Sequence, residues 1–530
     1  MNKRPVVIVA FEESDNLGTG YLASVLSVAG YDTRIIDFNE EDEEIVSIIQ
    51  RLNPLIVGFS IIYQFYIHAF KKLIVSIHEA GISCHLTAGG QYASLRFTEL
   101  FRFIPFLDSV VRFEGEYTLL EMVNSLYSGT DWRKVNGIAY KVNDEVIATP
   151  LRPLEKDLDR FPLPMRTPLT DYAFDKKFAS ILAGRGCIHN CSFCNTREYY
   201  RQSGGSYKRI RKPEKVAEEM DLLHKNKDCT VFLFQDDDFP VKTERTAVWV
   251  DRFCHELKNR GLHNRLMWKI NCRPDEVDPV SFALMKEHGL FLVYLGIEDG
   301  TDYGLKRLNK GLTSARCVEG INTLKKLKIN FDYGFMLFQP SSTFATVNEN
   351  LDFLTGLCSD GSSPLTFLKM IPFFDTIIEK ELIDEGRLTG VTGFYTYQFY
   401  EESLNRYCEF TTDCTMEWLR GTNGLLNVLR WARNYIAVHT RFAEPSPELS
   451  TISEDVRKIT AESNLFLLDT LKELSVIFET GKYNNGDYRG LGGFKESIDA
   501  MHDDARARIN NQMIRLLRLS SSPSAEADGN

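Results

Sequence analysis

The chain of 530 residues is 43% hydrophobic, enough for two or three separate cores, so a multidomain organisation is expected. Its formal net charge of −11, with both signs interspersed, argues against a surface built to neutralise nucleic-acid phosphates or to lie on an anionic membrane. No uncharged apolar stretch approaches the roughly 18 residues of a membrane span, so neither a membrane span nor a nucleic-acid partner is expected.

Met1 to Pro5 lead into a strand-length apolar run that stops at Glu12 and Glu13, without the length or small-residue cleavage site of a signal peptide. The 11 cysteines, most of them scattered, fit a reducing compartment, and a cytoplasmic location is the expectation. Residues 1–140 alternate short apolar runs with amphipathic segments: Val6 to Phe11, Tyr21 to Ala29, Thr33 to Phe38, Ile45 to Leu52, Leu55 to Ile62, Phe70 to Ala80, and Cys84 to Ala88. This rhythm predicts a doubly wound, Rossmann-like α/β domain that binds ligands beyond the carboxyl ends of its strands. Gly18-x-Gly20-x-x-Ala23 with Asp37 imitates a dinucleotide fingerprint, but Gly18 lies seven positions beyond Phe11, too far for the tight turn after the strand. Gly89 and Gly90 after a strand allow close backbone approach to a large ligand, and Ser60 offers a small hydroxyl at a strand end.

Residues 141–176, with Pro150, Pro153, Pro162, Pro164 and Pro168, read as a linker. Six strand candidates follow within 177–390: Phe178 to Ala183, Thr230 to Phe234, Leu266 to Ile270, Phe291 to Gly296, Phe331 to Phe338, and Phe367 to Ile371. With helical segments between them they predict a partial β/α barrel with its chemistry at the carboxyl strand ends. Directly after the first comes Cys187-x-x-x-Cys191-x-x-Cys194. Three thiolates on one loop can hold three irons of a 4Fe-4S cluster and leave the fourth open. A structural zinc site would need a fourth ligand at short spacing, and His189 lies awkwardly inside the loop; three unconnected thiols are the remaining alternative. Asp236, Asp237 and Asp238 close the second strand as a ligand contact or a helix cap, and Arg273 follows the third, where it could pair with an anion in the cleft or form a surface ion pair. From 391 to 519 the periodicity is helical, as in Leu425, Val428, Leu429, Ala432 and Ile436, predicting a helical domain over the barrel. Its Cys408 and Cys414 read as buried thiols or a hydrogen-atom donor, and the Ser-, Ala- and Asp-rich tail 520–530 is expected to be disordered.

With an aromatic residue, Phe193, just before its third cysteine, the CxxxCxxC loop resembles that of the radical S-adenosylmethionine enzymes. Gly296-Ile297-Glu298-Asp299-Gly300, Gln339-Pro340, and Pro372 with Asp375-Thr376 are similar to later segments of that family. Leu17-Gly18 with Tyr21-Leu22-Ala23, Gly58-Phe59-Ser60, Ala88-Gly89-Gly90 and Glu114-Gly115-Glu116-Tyr117-Thr118 look like the cobalamin-binding domain that precedes many such barrels. The resemblance spans roughly residues 5–390. Two departures stand out: no histidine lies between Glu12 and Gly20, where a DxHxxG loop would donate one to cobalt, and Tyr92 stands where relatives often carry histidine.

The resemblance implies an N-terminal cobalamin-binding-type domain, a central partial (β/α)6 radical S-adenosylmethionine barrel and an α-helical C-terminal region. It implies a 4Fe-4S cluster on Cys187, Cys191 and Cys194, and S-adenosylmethionine contacted by Phe193, Asp236, Asp237 and Gln339. Cobalamin, base-off and without a loop histidine, would meet Ser60, Gly89, Gly90 and Gly115, while Glu298 and Arg273 would serve catalysis. The implied activity is reductive cleavage of S-adenosylmethionine to a 5′-deoxyadenosyl radical, and methylation of an unactivated carbon through cobalt. Its partners would be a small-molecule or natural-product substrate and an external one-electron reductant such as flavodoxin or ferredoxin. The alternatives are a dehydration, epimerisation, cyclisation or ring contraction without methyl transfer, or an iron–sulfur sensor or carrier that does not cleave S-adenosylmethionine.

Overall fold

The computed structural model describes residues 4–12, 15–39, 41–481 and 488–521. Two compact units result, one drawn from Met1–Leu169, Ala179–Glu219 and Ile371–Tyr397, the other from Thr170–Phe178, Met220–Met370 and Gln398–Asn530. These units cut across the boundaries expected from composition, because the segment carrying the three cysteines packs with the N-terminal sheet.

In the first unit β1 (Val6–Ala10), β2 (Thr33–Asp37), β3 (Ile56–Ser60), β4 (His85–Gly89) and β5 (Ser109–Val111) form a parallel sheet in the order β2-β1-β3-β4-β5. Every residue of β1 is buried, as expected of a central strand covered on both faces. Alternation along it divides the core: Val7 and Val9 pack with Ile45, Ile49, Phe70 and Leu73, whereas Val6 and Ile8 pack with Ala23, Leu26, Leu119 and Met122. Helices Asp42–Leu52 and Ile67–Glu79 therefore cover one face, and Leu17–Val28 and Glu116–Ser128 the other. Two further strands, β6 (Ile138–Val142) and β7 (Glu145–Ala148), extend the sheet antiparallel beyond β5. They fall partly in the stretch expected to be linker. Asn143 and Asp144 turn the hairpin with φ of 47° and 68°, the left-handed pair that a two-residue turn requires.

Chain order then gives β8 (Asp171–Ala173) and β9 (Lys176–Ile181), the short antiparallel pair β10 (Gly184–Arg185) and β11 (Arg209–Ile210), and the parallel strands β12 (Cys229–Phe234), β13 (Met267–Cys272), β14 (Leu290–Glu298) and β15 (Asn330–Phe335). The second sheet runs β15-β14-β13-β12-β9-β8. Phe367 to Ile371, expected as the sixth barrel strand, contributes one bridge between Phe338 and Lys369, and the sixth strand is β8, antiparallel to β9. Pro364 and Pro372 bracket that stretch, and neither can donate to a ladder.

After a hairpin at Leu388–Val391 and Phe394–Tyr397, the chain is helical over Glu402–Arg420, Leu425–Phe442, Pro447–Glu479 and Gly492–Ser521. Val438 of the second of these helices shares a core cluster with Ala173, Val231 and Met267 of the sheet. Ser520 and Ser521 belong to the end of a helix, whereas 522–530 of the expected tail lie outside the described residues.

Candidate functional site

The first unit carries two of the expected features. At the carboxyl ends of β3 and β4 a cavity of about 70 Å³ is lined by Gly58, Ser60, Gly89, Gly90 and Gly115. Gly90 has φ 102° and ψ 179°, a conformation essentially reserved for glycine. A Cβ there would lie 2.7 Å from the Ile61 carbonyl oxygen. The glycines leave backbone open between the apolar side chains of Ile8, Leu22, Phe59, Val111 and Leu119 that also line it, and such an apolar slot beyond the strand ends fits the tail of a corrinoid. Tyr92 is buried, donates to Glu99 at 3.3 Å and meets the Phe374 ring edge-on at 4.9 Å, and it does not line the cavity. At the end of β1, Glu12 accepts from the Thr19 hydroxyl at 2.8 Å, and burial pushes its carboxyl up to about 7.

The loop with the three thiols leaves through β10 and turns at Gly186, whose φ is 88° and where a Cβ would collide with the Tyr207 carbonyl. Cys187, Cys191 and Cys194 are half-buried. The Cys194 amide donates to the Cys191 carbonyl at 3.2 Å, and helix Thr196–Ser203 starts two residues after Cys194, with its positive end toward the loop. Phe193 is partly exposed beside them, and the preceding Ser192 carbonyl accepts from Ile378 at 3.2 Å. Three thiols on one ordered turn are a donor set suited to a cluster with one open iron.

Between these features lies an arrangement that sequence reading missed. Glu114 and Glu116 flank Gly115, and Arg185, two residues before Cys187, reaches Glu116 at 2.8 Å and Glu114 at 3.5 Å. Arg209 donates to Glu114 at 2.9 Å, and the Arg185 guanidinium lies over the Tyr21 and Phe161 rings at 4.9 and 5.1 Å. Burial pushes Glu114 up, but Arg209 and Arg185 overcome it and hold its carboxyl below the usual range. A second buried chain links Asp15 to Arg166, Arg166 to Glu219 at 2.8 Å, Glu219 to Arg211 at 2.6 Å, and Arg211 to Asp159 at 3.0 Å. Buried charges like these are tolerated only when fully paired. The Glu-Gly-Glu spelling was the available signal, but its arginine partners lie 69 to 95 residues away in sequence.

The second unit holds the strand-end residues. Asn271 of β13 donates to the Phe234 and Asp236 carbonyls, both at 3.2 Å, and its own carbonyl accepts from Phe239 at 2.8 Å. This staples the Gln235–Asp238 turn, in which Asp236 and Asp238 are buried and Asp237 is exposed. Arg273 is buried, bidentate to Asp275 at 3.0 and 3.1 Å, and donates to the Lys310 carbonyl at 2.6 Å. Its guanidinium braces the Lys310 loop instead of reaching for an anion in a cleft. Glu298 sits at an irregularity in the β14–β15 register with φ 71°, a strained, re-aimed backbone of the kind that marks functional positions. Its carboxylate lies 3.7 Å from the Lys310 ammonium. The neighbouring Asp299 is buried and accepts from the Thr301 amide and hydroxyl at 2.7 Å, from Asn350 at 3.1 Å and from the Gln339 carboxamide. The side-chain amide of Gln339 thus serves Asp299. Burial pushes the thiols of Cys408 and Cys414 up to about 11, so both are protonated at neutral pH.

A glycine-walled cavity at the strand ends of one parallel sheet, a three-thiol loop and a second, curled parallel sheet define the class: a corrinoid-type radical S-adenosylmethionine enzyme. The family model for the B12 binding domain matches residues 3–123, and that for the Radical SAM superfamily matches residues 181–354. An uncharacterised methyltransferase of Pyrococcus horikoshii is 30% identical over 354 residues, covering 65% of this chain and 74% of that protein. The anaerobic magnesium-protoporphyrin IX monomethyl ester cyclase of Rubrivivax gelatinosus is 30% identical over 348 residues, 62% of this chain and 60% of the cyclase. The cobalamin-dependent S-adenosylmethionine radical enzyme OxsB, solved with aqua-cobalamin and S-adenosylmethionine, shares the fold with a TM-score of 0.66 at 19% identity over 98% of this chain and 80% of that one. The radical S-adenosylmethionine methyltransferase TsrM of Kitasatospora setae gives 0.61 at 17% identity over 72% of this chain and 76% of its own. The chain belongs to the cobalamin-binding radical S-adenosylmethionine enzymes, with a 4Fe-4S cluster, S-adenosylmethionine and cobalamin as cofactors. Among the described residues no helix is long and apolar enough to cross a membrane.

Proposed function

We propose that this enzyme methylates an unactivated carbon of a small-molecule substrate, in the cytoplasm, with electrons from a flavodoxin or ferredoxin. The observation that carries this reading is the presence, within one compact unit, of the glycine-walled cavity and the three-thiol loop, joined through Glu114, Glu116 and Arg185. The bound cofactors supply an S-adenosylmethionine-derived radical and a transferable methyl group, and the protein positions them and keeps water out.

Cys187, Cys191 and Cys194 are the cluster ligands, and Phe193 shields the turn between them. Ser60, Gly89, Gly90 and Gly115 admit the corrinoid tail. Glu298, Asp236 and Asp237 are the acceptors for hydroxyl or amino groups of S-adenosylmethionine or substrate, whereas Arg273 and Gln339 are positioning residues that set the Lys310 loop and Asp299. A cyclisation or ring rearrangement is the second reading, favoured by the identity to the Rubrivivax cyclase.

The test is anaerobic purification with hydroxocobalamin, cluster reconstitution, and product analysis after addition of reductant and S-adenosylmethionine. Bound cobalamin with both 5′-deoxyadenosine and S-adenosylhomocysteine supports methyl transfer. Formation of 5′-deoxyadenosine alone moves the assignment to the rearrangement.

A further inference from the structure

The inner face of the second unit's sheet carries a set of charges that the reaction described above does not use. Alternate residues of neighbouring strands share a face, and the registers place Tyr294 opposite both Asn271 and Asp332. Lys269, Tyr294 and Asp332 therefore lie together, while the opposite face is the buried apolar row of Ile270, Val293, Leu295 and Phe331. The Lys269 ammonium stands 5.7 Å from the centre of the Tyr294 ring and makes no hydrogen bond or ion pair among the described residues. From helix Leu425–Phe442, Arg433 reaches Asp332 at 3.0 Å and Arg430 approaches it at 3.8 Å. Arg433 also donates to the Phe331 and Ser362 carbonyls, at 3.1 and 2.9 Å, whereas the Nε of Arg430 is buried without a hydrogen-bond acceptor.

Three cations thus face one carboxylate, and the next carboxylate along the sheet, Glu298, is already beside Lys310. An excess of buried positive charge is unfavourable unless an anion joins it. Burial drives the Lys269 ammonium below its ordinary value, with Asp332 opposing and Arg430 reinforcing the shift, as expected for groups in one field. Tyr294 is 38% exposed, and its phenol lies over Gly334 beside Glu298, where burial and that carboxylate push it up to about 12 and keep it neutral.

We propose that this face binds a carboxylate or phosphate group of the substrate through the Lys269 ammonium and the Arg430 guanidinium, with the Tyr294 phenol as a neutral donor. The inference rests on the reading that the second unit receives a small-molecule substrate, and it adds that the substrate is anionic. The carboxylate of S-adenosylmethionine is the other possible source of such a group.

The experiment uses the full reconstituted chain and inorganic phosphate as the probe, with chloride at equal ionic strength as control. Reductive methylation of individual lysines is followed by peptide mass spectrometry. Phosphate at about 20 mM is expected to slow modification of Lys269 by about fivefold or more, while leaving the exposed Lys215 unchanged. Arg430→Met is expected to abolish that protection, and phosphate should raise the melting temperature of the wild type and of Lys269→Arg but not of Lys269→Met. The affinity for S-adenosylmethionine should be the same in Lys269→Met as in wild type. Absence of protection in the wild-type chain, equal protection by chloride, or undiminished protection in Arg430→Met overturns the proposal. Weakened binding of S-adenosylmethionine by Lys269→Met overturns it too, because the anion would then be the cofactor's. None of these readouts needs turnover, so failure here leaves the methyl-transfer assignment standing, and failure of methyl transfer leaves this result readable.

Discussion

Replacing Gly90 by alanine should separate the corrinoid cavity from the rest of the first unit. With φ 102° and ψ 179° the backbone occupies a region that costs about 1–3 kcal/mol for a residue bearing a Cβ. The new methyl would stand 2.7 Å from the Ile61 carbonyl oxygen and 3.2 Å from the Ile62 nitrogen, both backbone atoms that cannot rotate away. Shifting that loop adds an overpacking cost of about 1–3 kcal/mol, so Gly90→Ala should be destabilised by about 2–6 kcal/mol. The shift also moves Ser60 and Gly89, which line the same cavity, and retention of hydroxocobalamin should fall by about tenfold or more. Gly30 is the internal control: its φ is 84°, but a Cβ there would meet nothing within 4 Å, so Gly30→Ala should cost about 1 kcal/mol and leave cobalamin untouched. Urea unfolding of the cofactor-free protein gives the stabilities, and absorbance after gel filtration gives the bound cobalamin. A Gly90→Ala protein as stable as Gly30→Ala, with full cobalamin uptake, would refute the reasoning.

Arg185→Met should leave Glu114 and Glu116 buried with a single guanidinium between them, costing about 3–5 kcal/mol and reducing iron content after reconstitution, with Arg185→Lys restoring part of both; wild-type stability and iron content in Arg185→Met would sink the idea. Glu298→Gln removes the carboxylate facing the buried Lys310 ammonium and should cost about 3 kcal/mol, while binding of S-adenosylmethionine weakens by about tenfold in equilibrium dialysis. Unchanged binding would release Glu298 from the cofactor. Burial lowers the pKa of His85 to about 4 from an ordinary 6.5, against the pull of nearby Asp108 and with help from Arg133. The unfolded chain then binds the proton more readily, so stability is full above pH 6.5 and falls by about 3 kcal/mol as pH drops from 6.5 to 4. His85→Phe should flatten that part of a melting-temperature profile, and a profile with the same slope in both proteins would assign the acid sensitivity elsewhere.

Local chemistry was legible in the sequence. The short apolar runs and helical rhythms placed β1 to β4 and β12 to β15, because a strand covered on both faces and a helix buried on one face write their burial into the residues themselves. The three cysteines were legible for the same reason, since ligand spacing along one loop is a property of that loop. Tertiary structure decided whatever depends on partners far apart in the chain. It made β8 rather than Phe367 to Ile371 the sixth strand, turned Arg273 and Gln339 inward to brace Lys310 and Asp299, and gave Glu114 and Glu116 to Arg185 and Arg209. It also set Lys269 and Arg430, 161 residues apart, around one carboxylate. An ion pair or hydrogen bond has no period along the chain, so its partner is fixed only when folding brings the two side chains within about 3 Å of each other.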